Sequence, residues 1–232
     1  MEFLTHIPAG GTLFNTGAIL VGGTLGLVVG RLIPQKLYLI IFQCFGLFCL
    51  SLGFSMAQRA QDVLIVLFSL LFGAVVGECL DLDGKLTQLG EYLKKKLNAG
   101  AGNFTQAFVT ATLLFCVGSM SILGAIQDGL GETPTLLITK GVMDGTSSIL
   151  LAASMGVGTL CSALPLLLYQ GTITFAASWA NAFITPAMLD NLSGVGGLVF
   201  LAIGLNLMKV TDVKTSNLLP GIFFALLISA FF

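Results

Sequence analysis

Long apolar runs, about 16 to 25 residues each, follow one another from end to end of this chain, separated by short stretches of Gly, Pro and charge. At a rise of 1.5 Å per residue, helices of that length cross, or nearly cross, a hydrocarbon core of about 30 Å. The runs predict eight helices, at 12–30, 37–57, 63–80, 104–126, 135–155, 159–183, 192–210 and 217–232. The last is short. The break between the fifth and sixth rests on Gly156, Val157 and Gly158, and without a turn there the count falls to seven.

One stretch follows a different rule. Between 81 and 97 the leucines at 82, 86, 89, 93 and 97 recur at helical spacing, while Asp83, Lys85, Glu91 and Lys94, Lys95 and Lys96 take other faces. That pattern predicts an amphipathic helix lying on the inner membrane surface, with binding of a partner or of lipid as its alternative use. The glycine-containing stretch at 98–103 then links it to the fourth span.

Composition fixes the class. Of 232 residues, 56% are hydrophobic and only 9% charged, and the mean hydropathy is +0.98. A soluble domain intersperses charge every few positions, so the expected fold is an all-α polytopic membrane protein, a single transmembrane domain over 1–232. The net charge of −1 and the absence of a basic stripe exclude a nucleic-acid partner. With eight spans, Arg31, Lys36, Lys85, Lys94, Lys95, Lys96, Lys209 and Lys214 fall on one set of loops and Arg59 on the other. The basic side is the cytoplasmic one, so both termini are expected outside. The leader before residue 12 lacks a basic n-region and a clear cleavage site, so the first span is expected to stay in the membrane. His6, the only histidine, lies in that leader and takes no role.

A faint internal repeat runs from Pro34 through Gly46, Leu47, Leu50 and Gly53, and again from Pro186 through Gly197, Leu198, Leu201 and Gly204. It would match spans one to three (12–80) with spans six to eight (159–232), five crossings apart. An odd offset gives the copies opposite orientation, the inverted-topology arrangement of many secondary transporters. The segment 104–155 is then a two-helix insert.

Most of the intramembrane polarity falls in that insert. Asp144 lies ten residues beyond Pro134, about 15 Å along the helix and close to the midplane. Lys140 precedes it by one turn and can neutralise it, or, being shallower, snorkel outward. A charge at that depth costs roughly 2.5 to 3.5 kcal/mol on insertion scales, so it faces a protein interior or an aqueous path. Span four adds Ser119 and Ser121, and Gln127 and Asp128 at its outer end; span five adds Thr146, Ser147 and Ser148. Asn15 and Thr16 in span one, Gln43 in span two, and Tyr169, Gln170, Thr172 and Thr174 in span six are further groups able to join them. Pro165 removes a backbone donor and can kink span six, freeing carbonyls. The candidate solute- or ion-binding residues are Asp144, Lys140, Asp128, Gln127, Ser119, Ser121, Thr146, Gln170 and Asn15. Read structurally, the same pair is a buried ion pair that fixes helix register.

Gly22, Gly26 and Gly30 form two successive GxxxG steps on span one, and Gly73 and Gly77 repeat the spacing on span three. Such faces let helices approach closely, within one chain or across a homodimer. The cysteines at 44, 49, 79, 116 and 161 lack CxxC spacing and are expected to be buried thiols. No HExxH, GxSxG, phosphate-binding glycine loop or Cys/His cluster occurs, so neither an enzyme, a bound metal nor a cofactor is expected.

The stretches FCVGSMSILGAIQDGL, LLITKGVMDG, PLLLYQ and GGLVFLAIGL resemble the bacterial integral-membrane family known as domain of unknown function 554, the YqgA-like proteins. The resemblance covers nearly the whole length. It implies a small multi-spanning protein of the bacterial inner membrane, with transport the general expectation, and supplies neither substrate nor reaction. The expected function is transport of a small polar or ionic solute, proton- or cation-coupled, with Asp144 as the cation or proton site and lipid as the surrounding partner. The alternative is a membrane scaffold or sensor that works through helix packing and the surface helix.

Overall fold

The computed structural model describes residues 9–30, 32, 34–97, 103–117, 119–177 and 184–231. His6, Arg31, most of the linker at 98–103 and the end of the sixth predicted span at 178–183 lie outside them, as do the side chains of Lys36 and Ser119. Every regular element among the described residues is helical. In chain order these are α1 (Gly10–Gly30), α2 (Gln35–Ala57), α3 (Val63–Cys79), α4 (Leu82–Lys96), α5 (Phe104–Cys116), α6 (Ser119–Gly129), α7 (Thr135–Met155), α8 (Gly158–Cys161), α9 (Ala163–Phe175), α10 (Pro186–Leu207), a 3-10 turn (Thr215–Leu218) and α11 (Pro220–Ser229). Three of them, α1, α7 and α10, are each long and apolar enough to cross a bilayer. The number rises to five if α3 with α4, bent by 55°, and α5 with α6, bent by 64°, are each one span.

Two of the helices, α1 and α3, are packed inside out relative to a soluble protein. The buried face of α1 is Gly11, Thr12, Asn15, Ile19, Gly22, Gly23, Gly26 and Gly30, while Leu13, Leu20, Val21, Leu25 and Val28 point outward. In α3 the buried stripe is Ile65, Val66, Ser69, Gly73 and Gly77, with Leu64, Leu67, Phe68, Leu71 and Phe72 outside. Lipid is as apolar as Leu, so nothing drives large side chains inward; close backbone approach and hydrogen bonds hold the helices together.

The chain forms two compact units. The first holds α1, the end of α4, and α5 through α9. Its central contact is α1 against α7, set by glycine. A Cβ on Gly22 would lie 2.1 Å from the Gly145 carbonyl oxygen, one on Gly26 2.3 Å from that of Ile149, and one on Gly30 2.6 Å from that of Ala153. The pairs advance together, so α1 and α7 run parallel. Against α9, by contrast, Thr12 meets Thr174 and Asn15 meets Gln170, so α1 and α9 run antiparallel.

The sequence left the turn at 156–158 open, and the structure makes it a chain reversal. Gly156 ends α7 at φ 91°, a left-handed conformation that glycine adopts without strain. Pro165 does not kink a long helix as expected. It sits in the first turn of α9, where the missing N–H has no helical acceptor to lose. The predicted fourth span at 104–126 is corrected to two helices, because α5 ends at Cys116 and α6 begins at Ser119. Beside the break, Ser121 Oγ donates to the Phe115 carbonyl at 3.2 Å, satisfying an acceptor that the lost turn leaves free.

The second unit holds α2, α3, the start of α4, α10 and α11. Here α2 and α10 pair antiparallel through glycine. A Cβ on Gly46 would lie 2.9 Å from the Gly204 carbonyl oxygen, and one on Gly53 2.7 Å from that of Gly197. Likewise α3 and α11 pair antiparallel, Gly73 against Gly221 and Gly77 against Asn217 at the preceding turn. Predicted to start at 192, α10 starts at Pro186, because Thr185 caps it through the Met188 N–H and proline suits the first helical turn.

Two asparagines tie down the turns of this unit. The Asn191 carbonyl accepts from the Gln61 and Asp62 N–H groups, both at 3.1 Å, and its amide donates to Ser229 Oγ at 3.0 Å. Asn217 accepts from the Asp83 N–H at 2.8 Å and donates to Glu78 at 2.6 Å. Glu78 also pairs with Lys214 at 2.6 Å, which raises the pKa of that lysine by hydrogen bonding and charge. Both partners are more than half exposed, so screening leaves the pair little weight in stability.

Candidate functional site

The polar groups of the first unit collect on the inward faces of α1, α6, α7 and α9. Lys140 and Asp144 stand one turn apart on α7 and are 6% and 7% exposed. Lys140 Nζ donates to Asp144 Oδ2 at 2.6 Å, so the lysine turns inward to its partner instead of snorkelling. Asn15 on α1 packs against α7 between the two charged residues, its Cα 3.2 Å from where a Cβ on Gly141 would lie, and Asn15 Nδ2 donates to Gln170 Oε1 on α9 at 3.2 Å. Asn15 and Gln170 are fully buried. Three helices thus bring an ion pair and a hydrogen-bonded amide pair into one neighbourhood.

The amide pair is incompletely satisfied. Asn15 Oδ1 and Gln170 Nε2 are buried and have no hydrogen-bond partner among the described residues. An unpaired buried polar group costs about 1–3 kcal/mol, so such atoms in a native structure call for an explanation.

Nearer the start of α1 lies a second, complete network. Asp128 at the end of α6 accepts from the Gly11 N–H and the Thr12 N–H, both at 2.9 Å, and from Thr12 Oγ1 at 3.1 Å. With its one hydroxyl proton so used, Thr12 Oγ1 accepts from Thr174 Oγ1, 3.1 Å away. The first N–H groups of a helix lack intrahelical acceptors and carry the positive end of its dipole, which is where a carboxylate is most stabilising. Asp128 is therefore a cap supplied from 116 residues away. Asp128→Asn is expected to lower stability by about 1–2 kcal/mol, since one oxygen becomes a donor facing donors. A fall in the melting temperature of the detergent-solubilised protein checks it.

Of the sequence candidates, Asp144, Lys140, Asn15 and Gln170 come together, and Asp128 joins α1 and α9 in the adjoining network. Gln127 is partly buried, with Oε1 unpartnered. Ser121 is fully buried and serves the helix break. Thr146 is not brought to the cluster: two residues past Asp144 is about 200° around a helix, so it is exposed and its hydroxyl returns to the Val142 and Met143 carbonyls. Thr172 is exposed for the same reason, and Gln43 belongs to the second unit. Thr12 and Gly11 were missed by sequence reading. The signal available was the recurrence of small and polar residues at 12, 15, 22 and 26 along one face of span one.

Among the described residues no group of three or more His, Cys, Asp or Glu could hold a metal ion. The five cysteines are unpaired; Cys49 is buried as expected, whereas Cys44 and Cys79 are exposed because they lie on the outward faces of α2 and α3.

Inside-out apolar helices around a buried ion pair and buried amides define an all-helical integral membrane protein. The chain belongs to the family described as protein of unknown function (DUF554), whose model matches residues 10–230. It is 30% identical over 227 residues to "Uncharacterized protein YqgA" of Escherichia coli (strain K12), covering 95% of this chain and 96% of that one. It is 32% identical over 216 residues to "Uncharacterized membrane protein YdfK" of Bacillus subtilis (strain 168), covering 91% and 92%. No solved structure matches.

Proposed function

We propose that the chain is a transporter for a small polar or ionic solute and not an enzyme, and that Asn15, Lys140, Asp144 and Gln170 form its solute site. The observation that carries this reading is the fully buried amide pair. Asn15 on α1 and Gln170 on α9 each keep one unfilled hydrogen-bonding valence, beside an ion pair that is costly to keep in a membrane. A structural ion pair needs no such unfilled neighbours. Asp144 is then the group through which a proton or cation couples to solute movement. Membrane lipid is the surrounding partner, and no nucleic acid is involved.

Eight spans with inverted repeats form part of the proposal. Numbering the crossings along the chain makes α1 the first, α7 the fifth and α8 with α9 the sixth; α1 should then be parallel to α7 and antiparallel to α9, as it is. Crossings two and seven, and three and eight, should be antiparallel, in agreement with α2 against α10 and α3 against α11. In the repeat, Gly46 corresponds to Gly197 and Gly53 to Gly204, and these four glycines meet crosswise, Gly46 with Gly204 and Gly53 with Gly197. Crosswise contact of equivalent residues is what a local two-fold axis produces.

The relatives come from two bacteria and one is named a membrane protein, which supports a bacterial membrane; the choice of the inner membrane with both termini outside rests on the loop charges. In a variant freed of its native cysteines, Lys95→Cys should react only with reagents that reach the cytoplasm. Labelling from the periplasmic side would overturn the orientation.

Uptake into proteoliposomes tests the function itself. The purified protein should raise uptake of a small polar solute above that of protein-free vesicles, and Asp144→Asn should return it to that level while still inserting. Undiminished flux in a well-folded Asp144→Asn protein would reduce the pair to a packing device.

A further inference from the structure

The atoms left open at the amide pair narrow the class of solute, an inference that rests on the transport reading of this same site. Asn15 packs against α7 at Gly141, between Lys140 and Asp144, and its amide donates to Gln170 Oε1 at 3.2 Å. What remains is one acceptor, Asn15 Oδ1, and one donor, Gln170 Nε2, each fully buried and unpaired. Exchanging O for N in both amides leaves the same inventory, one donor and one acceptor, so the result does not depend on how the amides are turned.

Charge points the same way. Lys140 and Asp144 neutralise each other at 2.6 Å, and Asp128 is committed to the start of α1. The cluster carries no net charge for an ion to balance, and an uncompensated charge buried beside it is strongly unfavourable. Nor is there, among the described residues, a set of carboxylates to replace the hydration shell of a divalent cation.

We propose that the solute is a small neutral molecule presenting a hydrogen-bond donor next to an acceptor, of the carboxamide or urea type, which docks its N–H on Asn15 Oδ1 and its carbonyl on Gln170 Nε2. The molecule forms no covalent bond. It replaces the water that such a pair otherwise requires, and its recognition is the reciprocal amide pairing that a charged isostere cannot reproduce.

The test compares four solutes of similar size in proteoliposomes and protein-free vesicles: acetamide and urea, which are neutral, and acetate and methylammonium, which are charged. Acetamide and urea should enter faster with the protein than without it, and each should slow the other. Gln170→Glu, which turns the open donor into an acceptor, should abolish both fluxes. Acetate or methylammonium flux with the neutral pair at background would overturn the inference while leaving the transport reading standing. No flux of any of the four would overturn the inference and leave the amide pair holding a structural water only; the transport reading falls as well if a wider solute panel is also flat. Should Gln170→Glu fail to fold, mutual inhibition in the wild type decides, and independent acetamide and urea fluxes would overturn the shared site.

Discussion

Asp144→Asn is expected to destabilise the protein by about 3–5 kcal/mol, and Lys140→Met in the same chain to return most of that loss. The reason lies in the asymmetry of buried charge. In the native pair each ion is compensated at 2.6 Å, and both side chains are almost wholly buried. Replacing the carboxylate by a neutral amide leaves the Lys140 ammonium group without a counter-ion in a low-dielectric interior. Removing both charges leaves an apolar stem of similar volume, which replacements of buried ion pairs tolerate well. The measurement is a double-mutant cycle on unfolding of the protein in detergent, with interaction energy taken from the four corners. A single mutant as stable as the wild type would mean that Lys140 finds water or headgroups on its own, and that the pair is not as enclosed as its geometry says.

Gly22→Ala should destabilise the chain by about 1–3 kcal/mol, because a backbone atom blocks the new methyl group. At 2.1 Å from the Gly145 carbonyl oxygen, a Cβ cannot be accommodated by a rotamer change; α1 and α7 must move apart. Gly26→Ala, with 2.3 Å to the Ile149 oxygen, should behave alike. Gly17 is the control on the same helix, since a Cβ there meets nothing within 4 Å. Gly17→Ala should be neutral or stabilising, as alanine gains up to about 1 kcal/mol over glycine in a helix. Opposite signs at Gly22 and Gly17, read as shifts of melting temperature, identify close approach of the two helices as the cause. Equal effects would show that helix propensity alone decides.

Much of the architecture is one-dimensional information. In a lipid solvent every backbone group must be satisfied within its own segment, so a long apolar run is already a helix. Most predicted spans accordingly have a helix at their position, and the amphipathic stretch at 81–97 is helical as α4, within a residue of each end. Lys140 and Asp144 were equally legible, because residues one turn apart meet whatever the rest of the chain does. Gly156 ended a helix because few other residues take its conformation.

Tertiary structure alone decided which faces meet. A membrane helix is apolar nearly all round, so the polar-to-apolar contrast that orients a soluble helix is missing, and only the small residues mark the inner face. Thr146 and Ser148 looked equivalent in sequence, yet one returns to its own helix and the other donates to the Ile19 carbonyl across the α1 contact. The break in span four and the capping of α1 by Asp128 depend on carbonyls and N–H groups left open by neighbouring segments. Asn15 and Gln170 are 155 residues apart and find each other only because α1 and α9 cross antiparallel in one register. The sequence by itself determined that this is a helical membrane protein with a lysine and an aspartate one turn apart on an apolar helix. The crossing of its helices decided that the pair stands beside two amides with valences to spare, because such contacts depend on register between distant segments.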